Sequence, residues 1–346
     1  MLYFNNDYNE ICHPAVLRKI TENAGVQNPG YGTDDCCARA AELIRKKCAA
    51  PNSAVHFLVG GTQTNLTVIA ASLRPHQGVI AADSGHVNVH ETGAIEATGH
   101  KVILVPAPDG KVRPEQVAKI VESQSLSMDA EHIVQPKMVY ISNPTEYGTM
   151  YSLAELKAIS GLCRDNGLFL YVDGARMGYG LAAEDNDITL ADYARLCDAF
   201  YIGGTKVGAM FGESVVITNP SIAEDFRYLM KQRGGMMAKG WLLGLQFEAL
   251  FEDDLYLRIS AHADKLADQI RQTLASLGYD LYLPGTTNQI FVTLPDKLLN
   301  ELSKEFTFAN WEKSEENNTT VRFCTSWATI QENVNKLCDT LVRLSQ

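Results

Sequence analysis

The feature that most restricts the fold of this chain is a regular alternation of strand-like and helix-like segments between about residue 50 and residue 220. Short apolar runs separated by stretches of helical length are typical of βαβ units around a largely parallel sheet. The pattern predicts an α/β domain with a sheet of about seven strands, covered by helices such as one over residues 153–166. The strand-like runs are residues 55–59, 79–81, 102–105, 138–141, 168–172, 199–202 and 215–218.

The pattern changes after Pro220, where long helical stretches over 222–232 and 238–277 replace the alternation. Strand-like runs, at 281–283, 289–294 and 321–324, and helix-like stretches then alternate in an α+β pattern. We therefore predict a large α/β domain over 1–220, which includes the N-terminal segment, linking helices over 221–277, and a small α+β domain over 278–346. The polar stretch 313–320 is predicted to be an exposed loop.

The composition is that of an ordinary globular protein, with 46% hydrophobic and 21% charged residues. The formal net charge of −11, without a local cluster of Lys and Arg, argues against a nucleic-acid surface. No apolar stretch reaches membrane-spanning length and the start of the chain lacks a signal-peptide pattern, so we expect a cytoplasmic protein that acts on small molecules. The eight cysteines form no C-x-x-C pair, which favours reduced thiols over a disulfide framework or a zinc site.

Two strand-like runs of the predicted sheet end in residues suited to cofactor chemistry. Lys206 lies in a glycine-rich loop after the run 199–202, and Asp173 and Arg176 follow the run 168–172. Ligands of open α/β sheets bind beyond the carboxyl ends of the strands. A pyridoxal-phosphate enzyme needs a lysine that holds the cofactor as a Schiff base and an acid that keeps its pyridine nitrogen protonated. The combination indicates such a pocket, although each residue alone also fits a solvated loop lysine or a turn aspartate.

A glycine-rich turn, Gly60-Gly61-Thr62, follows the run 55–59 and opens a helix. Backbone N–H groups and the helix dipole favour a phosphate at such a point, and Thr62 adds a hydroxyl donor. A plain tight turn with a Thr or Asn cap fits the same residues. The turn is neither a G-x-x-x-x-G-K-[ST] loop nor a G-x-G-x-x-G loop between a strand and a helix, so the familiar nucleotide loops are not indicated.

Two histidines, His86 and His90, follow the run 79–81 at a spacing that places them on one helical face. They could bind a metal, but the H-E-x-x-H order and a third ligand are missing, and we expect no metal site. Stacking of the His86 ring on a flat cofactor is favoured over metal binding.

Arg322 lies on a predicted apolar strand and needs an anionic partner, which is either a structural carboxylate or the carboxylate of a substrate.

Taken together, the motifs resemble those of the threonine aldolase family, within the aromatic amino acid β-eliminating lyase group of fold-type I pyridoxal-phosphate enzymes. The resemblance runs nearly the full length of the chain. It implies a mostly parallel seven-stranded sheet in a large domain and a smaller α+β C-terminal domain. The motifs that carry it are Asn6-Asp7, Tyr31-Gly32-Thr33-Asp34, Gly61-Thr62-Gln63-Thr64-Asn65, His86 with Glu91, Asp173-Gly174-Ala175-Arg176, Thr205-Lys206 and Val321-Arg322.

The resemblance implies a role for individual residues. Lys206 would bind pyridoxal 5'-phosphate covalently, Asp173 would pair with the pyridine nitrogen, and His86 would stack on the ring. His86, directly or through water, is also the candidate base for the hydroxyl proton of the substrate. The implied cofactor-binding residues are Gly61, Thr62, His86, Asp173, Arg176, Thr205 and Lys206. The implied substrate-binding residues are Asn6, Tyr31, Glu146, Arg176 and Arg322.

Three of these positions concern substrate choice and assembly. Asn6 stands where many relatives have Ser, and Glu146 stands where some aldolases have His, near the β-substituent of the substrate. The Tyr31 turn and residues 231–233 resemble parts that reach the site of a neighbouring subunit in the family. A homodimer or homotetramer with sites at the subunit interface is therefore implied.

The implied reaction is cleavage of L-threonine, L-allo-threonine or another β-hydroxy-α-amino acid between Cα and Cβ, which yields glycine and, from threonine, acetaldehyde. Arg322 and Arg176 would fix the substrate carboxylate and so select the bond that stands perpendicular to the cofactor ring. β-Elimination or transamination would use the same Lys206 and Asp173 with a different bond aligned. A non-catalytic phosphate- or nucleotide-binding protein would leave the pairing of Asp173 with Arg176 unexplained.

Overall fold

The computed structural model describes residues 1–315 and 317–345 of the chain. The strands, in chain order, are β1 (Leu2–Tyr3), β2 (Ala54–Leu58), β3 (Gln77–Ala82), β4 (Val102–Val105), β5 (Gln135–Ser142), β6 (Phe169–Asp173), β7 (Ala199–Gly203), β8 (Glu213–Ile217), β9 (Gln289–Pro295), β10 (Phe306–Thr307), β11 (Ala309–Glu315) and β12 (Asn318–Cys324). The α-helices are α1 (Pro14–Glu22), α2 (Asp35–Lys47), α3 (Gly61–Ser72), α4 (His86–Val89), α5 (Ala94–Ala97), α6 (Pro114–Leu126), α7 (Leu153–Asp165), α8 (Met177–Ala182), α9 (Leu190–Leu196), α10 (Pro220–Ala223), α11 (Phe226–Gln232), α12 (Trp241–Phe251), α13 (Leu255–Ser276), α14 (Asp296–Leu302) and α15 (Gln331–Leu344).

The strand-like runs between residues 50 and 220 form one seven-stranded sheet in the order β2-β8-β7-β6-β5-β3-β4. β8 runs antiparallel to both β2 and β7, and the other neighbours pair in parallel. Strands β3 and β7 are buried along their whole length, as expected for a parallel sheet that is covered on both faces. The predicted α/β fold with a mostly parallel seven-stranded sheet is confirmed.

The alternation of side chains along the central strands divides the main core into two apolar clusters. Ile141, Val172 and Phe200 belong to one cluster, whereas their strand neighbours Tyr140 and Tyr171 belong to the other. Successive residues of a strand point to opposite faces of the sheet, so each cluster lies on one face. The face with the tyrosines is the one that the α3 helix covers through apolar residues such as Val68 and Ile69.

The α7 helix forms where the sequence predicts one, because its ends carry local signals. Ser152 caps the N-terminus by accepting a hydrogen bond from the backbone N–H of Glu155, and the Glu155 carboxylate accepts one from the Ser152 N–H in return. Leu156, Ile159 and Cys163 recur at helical spacing and are buried. The helix therefore joins β5 to β6 as one of the crossovers of the parallel sheet.

The long helix predicted over 238–277 is wrong as a single element. It is two helices, α12 and α13, separated by a 3-10 turn at Glu252–Asp254. Asp253 and Asp254 have φ angles of 51° and 55°, which lie in the left-handed region that interrupts a right-handed helix. The stretch predicted over 222–232 is likewise divided, at Asp225 with φ of 57°. Asp is one of the few residue types other than Gly that adopts this conformation readily.

A second sheet, with strand order β11-β12-β9, lies in the C-terminal part. The loop predicted over 313–320 is wrong for most of that stretch, because β11 and β12 pair there in an antiparallel hairpin; residue 316 lies outside the described residues. The polar residues Thr319 and Thr320 favour a loop prediction, but β-branched threonine also suits a strand.

The run 281–283 contributes an isolated bridge from Leu281 to Val292 rather than a strand. The division into parts at 220 and 277 stays a prediction.

The N-terminal segment is tied to the C-terminal part by β1, which pairs in parallel with β10. The backbone of Phe4 also accepts a hydrogen bond from the N–H of Cys324, at the end of β12. Residues 5–8 are thereby brought beside the carboxyl edge of the main sheet.

No helix within residues 1–315 and 317–345 has the length and apolar character needed to cross a membrane.

Candidate active site

A cavity of about 560 Å³ lies at the edge of the main sheet where β2, β3, β5, β6 and β7 end. The strand ends meet there because these strands run in parallel, which is where open α/β sheets bind ligands. The cavity brings together most of the site residues that the sequence predicted. These are Gly61, Thr62, His86, Glu146, Asp173, Arg176, Thr205, Lys206 and Arg322.

Asp173, the last residue of β6, is fully surrounded by hydrogen-bond donors. Its Oδ1 accepts from the Tyr201 hydroxyl at 2.6 Å and from the Ala175 N–H at 2.9 Å. Its Oδ2 accepts from the Tyr140 hydroxyl at 2.7 Å and from Asn65 Nδ2 at 3.0 Å. Burial raises the pKa of Asp173, but the charge of His86 and the tyrosine hydrogen bonds outweigh burial and lower that pKa below its ordinary value. The carboxylate is therefore ionised at neutral pH.

A hydrogen-bonded chain connects Asp173 to His86 through two residues to which the sequence analysis assigned no role. Asn65 Nδ2 donates both to Asp173 and to Glu91 Oε1, the latter at 2.7 Å. Glu91 Oε1 lies 2.8 Å from His86 Nδ1. Because the carboxylate is an acceptor, it places a proton on Nδ1 and leaves Nε2 of His86 as the nitrogen that can accept one. The motif Gly61 to Asn65 was the signal for Asn65, but only the tertiary structure shows its partners.

Lys206 follows β7 in a loop where the backbones of two strands approach closely. Gly203 ends β7, and a side chain at this position would collide with the backbone of Ala175, two residues after Asp173. The Tyr179 hydroxyl, on α8, donates a hydrogen bond to the Lys206 carbonyl at 2.6 Å and so ties the loop to that helix. Burial and the charge of Arg176 lower the pKa of the Lys206 amine, against the opposing charges of carboxylates in the cavity. A lowered pKa increases the fraction of the amine that is neutral and nucleophilic.

Arg176 is paired with a buried aspartate near the N-terminus. Its Nε and one terminal nitrogen donate to Asp7 Oδ2 and Oδ1 at 2.8 and 3.0 Å. Asn288 Nδ2 also donates to Asp7, at 2.9 Å. Burial raises the pKa of Asp7, but Arg176 and Lys206 outweigh burial and hold it at about 2. One edge of the Arg176 guanidinium is thus occupied by Asp7, a partner that the sequence analysis did not identify.

Arg322, on β12, faces the cavity without a carboxylate partner among the described residues. One terminal nitrogen donates to the Asn5 carbonyl at 3.0 Å, and the guanidinium carbon lies 5.8 Å from the centre of the Trp311 ring. Its Nε is buried and has no hydrogen-bond partner in the described part of the chain. A half-buried guanidinium whose buried Nε has no partner favours a bound anion. Trp311, on β11, was not singled out in the sequence, because nothing local marks it as a neighbour of Arg322.

Glu146 lies behind His86 in the wall of the cavity. Its Oε1 accepts from the His86 backbone N–H at 2.8 Å and from the Ser142 hydroxyl at 2.7 Å. Burial raises the pKa of Glu146 above its ordinary value, and the negative charge of Asp173 raises it further. Glu146 thus links the end of β5 to the start of α4 and fixes the backbone from which His86 projects.

The N-terminus of α3 supplies a place for a phosphate. The helix begins at Gly61, and no side chain among the residues that the structure describes caps its first turn. A side chain at Gly61 would approach the Tyr201 hydroxyl to 3.1 Å, so the glycine keeps the helix close to the floor of the cavity. Free N–H groups and the helix dipole favour an anion there. Together with Lys206 and the ionised Asp173, this arrangement fits pyridoxal phosphate.

Two predicted substrate-binding residues do not line the cavity. Asn6 Oδ1 accepts from the backbone N–H of Tyr8 at 3.0 Å, and Tyr8 lines the cavity instead. Tyr31 is 45% exposed and lies on another surface, where the Lys231 ammonium is 4.6 Å from the centre of its ring.

Within residues 1–315 and 317–345, no group of three or more His, Cys, Asp or Glu side chains could hold a metal ion.

Known proteins share the whole length of this chain. The low specificity L-threonine aldolase of Pseudomonas aeruginosa is 30% identical over 342 residues, which cover 97% of this chain and 95% of that protein. The enzyme of the same name from a Pseudomonas species is 30% identical over 339 residues, with the same coverage. The solved structure of Leishmania major threonine aldolase is 44% identical, with full coverage of both chains and a TM-score of 0.98.

The fold is also shared with more distant enzymes. Aspartate aminotransferase of Thermus thermophilus superimposes with a TM-score of 0.72 at 15% identity, which shows a common fold and no more. A family model described as beta-eliminating lyase matches residues 13–297, most of the chain. The fold and the catalytic class are those of pyridoxal-phosphate-dependent lyases. On the agreement of cavity, fold and sequence, the chain belongs to the beta-eliminating lyase family.

Proposed function

We propose that the protein cleaves L-threonine, L-allo-threonine and related β-hydroxy-α-amino acids between Cα and Cβ. Threonine would yield glycine and acetaldehyde. The observation that carries this proposal is the cavity itself, in which Lys206 and the ionised Asp173 lie with Arg322, a cation without a carboxylate partner among the described residues. The printed name of the full-length relatives, low specificity L-threonine aldolase, supports the same reaction.

Three residues would hold the cofactor in this proposal. Bound pyridoxal phosphate supplies an electron sink for the electrons released when a bond at Cα breaks. Lys206 would hold it covalently and give it up to the amino group of the substrate, for which a lowered amine pKa is suitable. Asp173 would keep the pyridine nitrogen protonated, and the uncapped N-terminus of α3 at Gly61 would bind the phosphate.

Arg322 would bind the substrate carboxylate through the donors that the protein leaves free. Its guanidinium is held against Trp311 and the Asn5 carbonyl, so its position is set before an amino acid arrives. A carboxylate fixed in this way limits rotation about Cα and keeps one chosen bond aligned for cleavage. Arg176, whose other edge binds Asp7, would contribute to the same electrostatic field.

His86 would take the proton from the β-hydroxyl group as the Cα–Cβ bond breaks. The Glu91 carboxylate holds the proton on Nδ1 and orients the ring, which leaves Nε2 as the basic nitrogen. Glu146 supports this arrangement by fixing the His86 backbone. The roles of Glu91 and Glu146 would then be to orient the histidine.

Assembly and location form a further part of the proposal. We expect a homodimer or homotetramer with sites at the subunit interface, because the exposed Tyr31, held by Lys231 and Arg227, lies on a surface outside the cavity and is available to a neighbour. Light scattering coupled to gel filtration tests this. A cytoplasmic location agrees with the eight cysteines, all of which are free thiols.

The deciding experiment is a product assay on purified protein loaded with pyridoxal phosphate. L-Threonine and L-allo-threonine should each give acetaldehyde and glycine in equal amounts. Lys206→Ala should abolish the reaction, whereas the matched control Lys265→Ala, at an exposed position on α13, should retain it. Release of ammonia and a 2-oxo acid without acetaldehyde would contradict the proposal and favour β-elimination.

A further inference from the structure

A buried glutamate that the proposed reaction does not use lies in the wall of the cavity beside Lys206. Glu213 is the first residue of β8, and 5% of its surface is exposed. β8 runs antiparallel to β7, so its beginning lies at the edge where β7 ends, and Glu213 pairs with Gly203 in the register of the sheet. The sequence analysis did not single out this residue, because a lone Glu at a strand end carries no local signal.

The Glu213 carboxylate holds the loop that presents Lys206. Its Oε2 accepts from the Gly204 N–H at 2.9 Å, and its Oε1 accepts from the Thr205 hydroxyl at 2.8 Å. Thr205 Oγ1 in turn accepts from the Gly212 N–H at 2.9 Å. The two residues that directly precede Lys206 therefore donate hydrogen bonds to one carboxylate, and this carboxylate belongs to the neighbouring strand β8.

Glu213 and Lys206 line the same cavity, so the charge of Glu213 reaches Lys206 across the cavity without a direct ion pair. No arginine or lysine lies within ion-pair distance of Glu213 in the described part of the chain. The pKa of Glu213 is raised to about 7, because burial outweighs the hydrogen bonds from Thr205 and Gly204 and the charge of Lys206, which lower it. The other titratable groups that interact with this pair are Asp7, His90, Tyr171, Asp173, Arg176, Tyr201, Tyr256 and Cys324.

We propose that Glu213 is a positioning residue for Lys206, whose negative charge keeps the Lys206 nitrogen protonated while that nitrogen is bonded to the cofactor. Asp173 serves the opposite end of the cofactor, at the pyridine nitrogen, so the two carboxylates act on different atoms. A protonated nitrogen at this position activates the adjacent carbon for attack by the amino group of a substrate. The inference rests on the proposed role of Lys206 and is independent of which bond of the substrate breaks.

The test is a titration of the visible absorption of the holoenzyme against pH, without substrate. The absorption band of the linkage between lysine and cofactor changes when its nitrogen loses the proton, so the midpoint reports the pKa of that nitrogen. Glu213→Gln removes the charge but keeps the shape, and the Gly204 N–H still has the Gly212 carbonyl, at 3.0 Å, as acceptor. The midpoint should fall by roughly one pH unit or more, as expected when a nearby opposite charge is removed.

Glu213→Asp separates charge from shape. The shorter side chain keeps the charge but cannot reach both Gly204 and Thr205, so its midpoint should stay closer to that of the wild type than the midpoint of Glu213→Gln. A merely structural role predicts the reverse order. If Glu213→Gln fails to hold the cofactor at all, that result would also support the proposal, provided that Glu213→Asp keeps both the cofactor and the midpoint of the wild type.

A matched control uses another buried glutamate. Glu248 on α12 is also 5% exposed, but it pairs with Lys19 and Arg39 away from the cavity, so Glu248→Gln should leave the midpoint unchanged. A wild-type midpoint in Glu213→Gln would overturn the inference. Colour that remains covalently attached in Lys206→Ala would overturn both this inference and the proposed role of Lys206, whereas absence of acetaldehyde from a wild-type protein with the expected titration would overturn only the proposed reaction.

Discussion

Single residues of the cavity have properties that their surroundings decide. Asp173 and Glu213 are both buried carboxylates, yet four hydrogen bonds and the charge of His86 lower the pKa of Asp173, whereas burial raises that of Glu213 to about 7. The difference lies in the number and charge of the donors around each one. One carboxylate is thus held ionised by its own donors, whereas the charge of the other depends on the hydrogen bonds from Thr205 and Gly204 and on the charge of Lys206.

Asp173→Asn should lower kcat by at least about a hundredfold, because a neutral amide cannot keep the pyridine nitrogen protonated, and one preorganised electrostatic partner is typically worth that much. The amide would also turn an NH₂ group toward the hydroxyl donors Tyr140 and Tyr201. Acetaldehyde release measures the loss. Asp198→Asn, at a half-buried hydrogen-bonding position outside the cavity, is the control. A variant within tenfold of the wild type would rule out the role given to Asp173.

Arg322→Lys should reduce kcat/KM by roughly ten- to a hundredfold, mainly through a higher KM, because a point charge replaces a planar, two-pronged donor of charged hydrogen bonds. The lysine would retain contact with Trp311 but could not bind a carboxylate in two places. Steady-state kinetics with L-threonine provide the measurement. Arg343→Lys, at a surface ion pair with Glu305, should change neither constant. An unaltered KM in Arg322→Lys would mean that another group anchors the carboxylate.

At the scale of elements, the ends of strands and the breaks in helices determine the geometry. Gly174 and Gly203 stand where β6 and β7 end, and a side chain at either would collide with the backbone of the other strand's end. The two strands therefore deliver Asp173 and Lys206 to one cavity at short range. The break between α12 and α13 has a comparable local cause, in the left-handed residues Asp253 and Asp254.

The break predicts opposite effects of two substitutions at Asp253. Val is strained in the left-handed region, so Asp253→Val should destabilise the protein by about 1–2 kcal/mol, whereas Asp253→Gly should be neutral or stabilise it by up to about 1 kcal/mol. Thermal unfolding of the holoenzyme checks both. Lys265→Val, exposed within α13, controls for the poor helix propensity of Val. Equal midpoints for the Val and Gly variants would show that the conformation at this position carries no strain.

At the scale of the whole molecule, one buried carboxyl group contributes strongly to how stability responds to pH. Asp264 on α13 is 7% exposed, and neither carboxylate oxygen has a hydrogen-bond partner among the described residues. Burial raises its pKa to about 9, and the neighbouring Arg271 only partly opposes this. The folded protein keeps this proton up to about pH 9, whereas an exposed aspartate loses it near pH 4. Between these values the folded state binds more protons, so this residue makes stability fall as pH rises.

Asp264→Asn should therefore stabilise the protein, and more so at about pH 8 than at about pH 5. The upper limit of the difference between these two pH values is on the order of 4 kcal/mol, or about 1.4 kcal/mol for each unit of pH. The thermal midpoints of wild type and variant at both pH values measure it. Asp268→Asn, exposed on the same helix, should show the same midpoint shift at each pH. A stabilisation by Asp264→Asn that does not grow with pH would show that Asp264 is already ionised in the folded protein.

The elements of the main sheet and the residues at its carboxyl edge can be predicted from local sequence patterns. Strand length, apolar runs and glycine punctuation act within a few residues, so β2 to β8 and the strand-end positions of Asp173 and Lys206 could be predicted. The hairpin of β11 and β12 could not, because its polar threonines form a strand only by pairing across to each other and to β9. The break at Asp253 was missed because helical periodicity continues on both sides of it.

The partners and the charges of the site residues depend on packing between distant segments of the chain. Asp7 contacts Arg176, 169 residues away in the chain, and Asn65 joins Asp173 and Glu91, which are 108 and 26 residues away from it. The sequence allows either a structural or a substrate carboxylate for Arg322, and the structure places no carboxylate within ion-pair distance of it in the described part of the chain. Such contacts depend on how elements pack, and burial then shifts the pKa values. Local sequence carries no signal for either effect, because both arise from residues that are distant in the chain and adjacent in space.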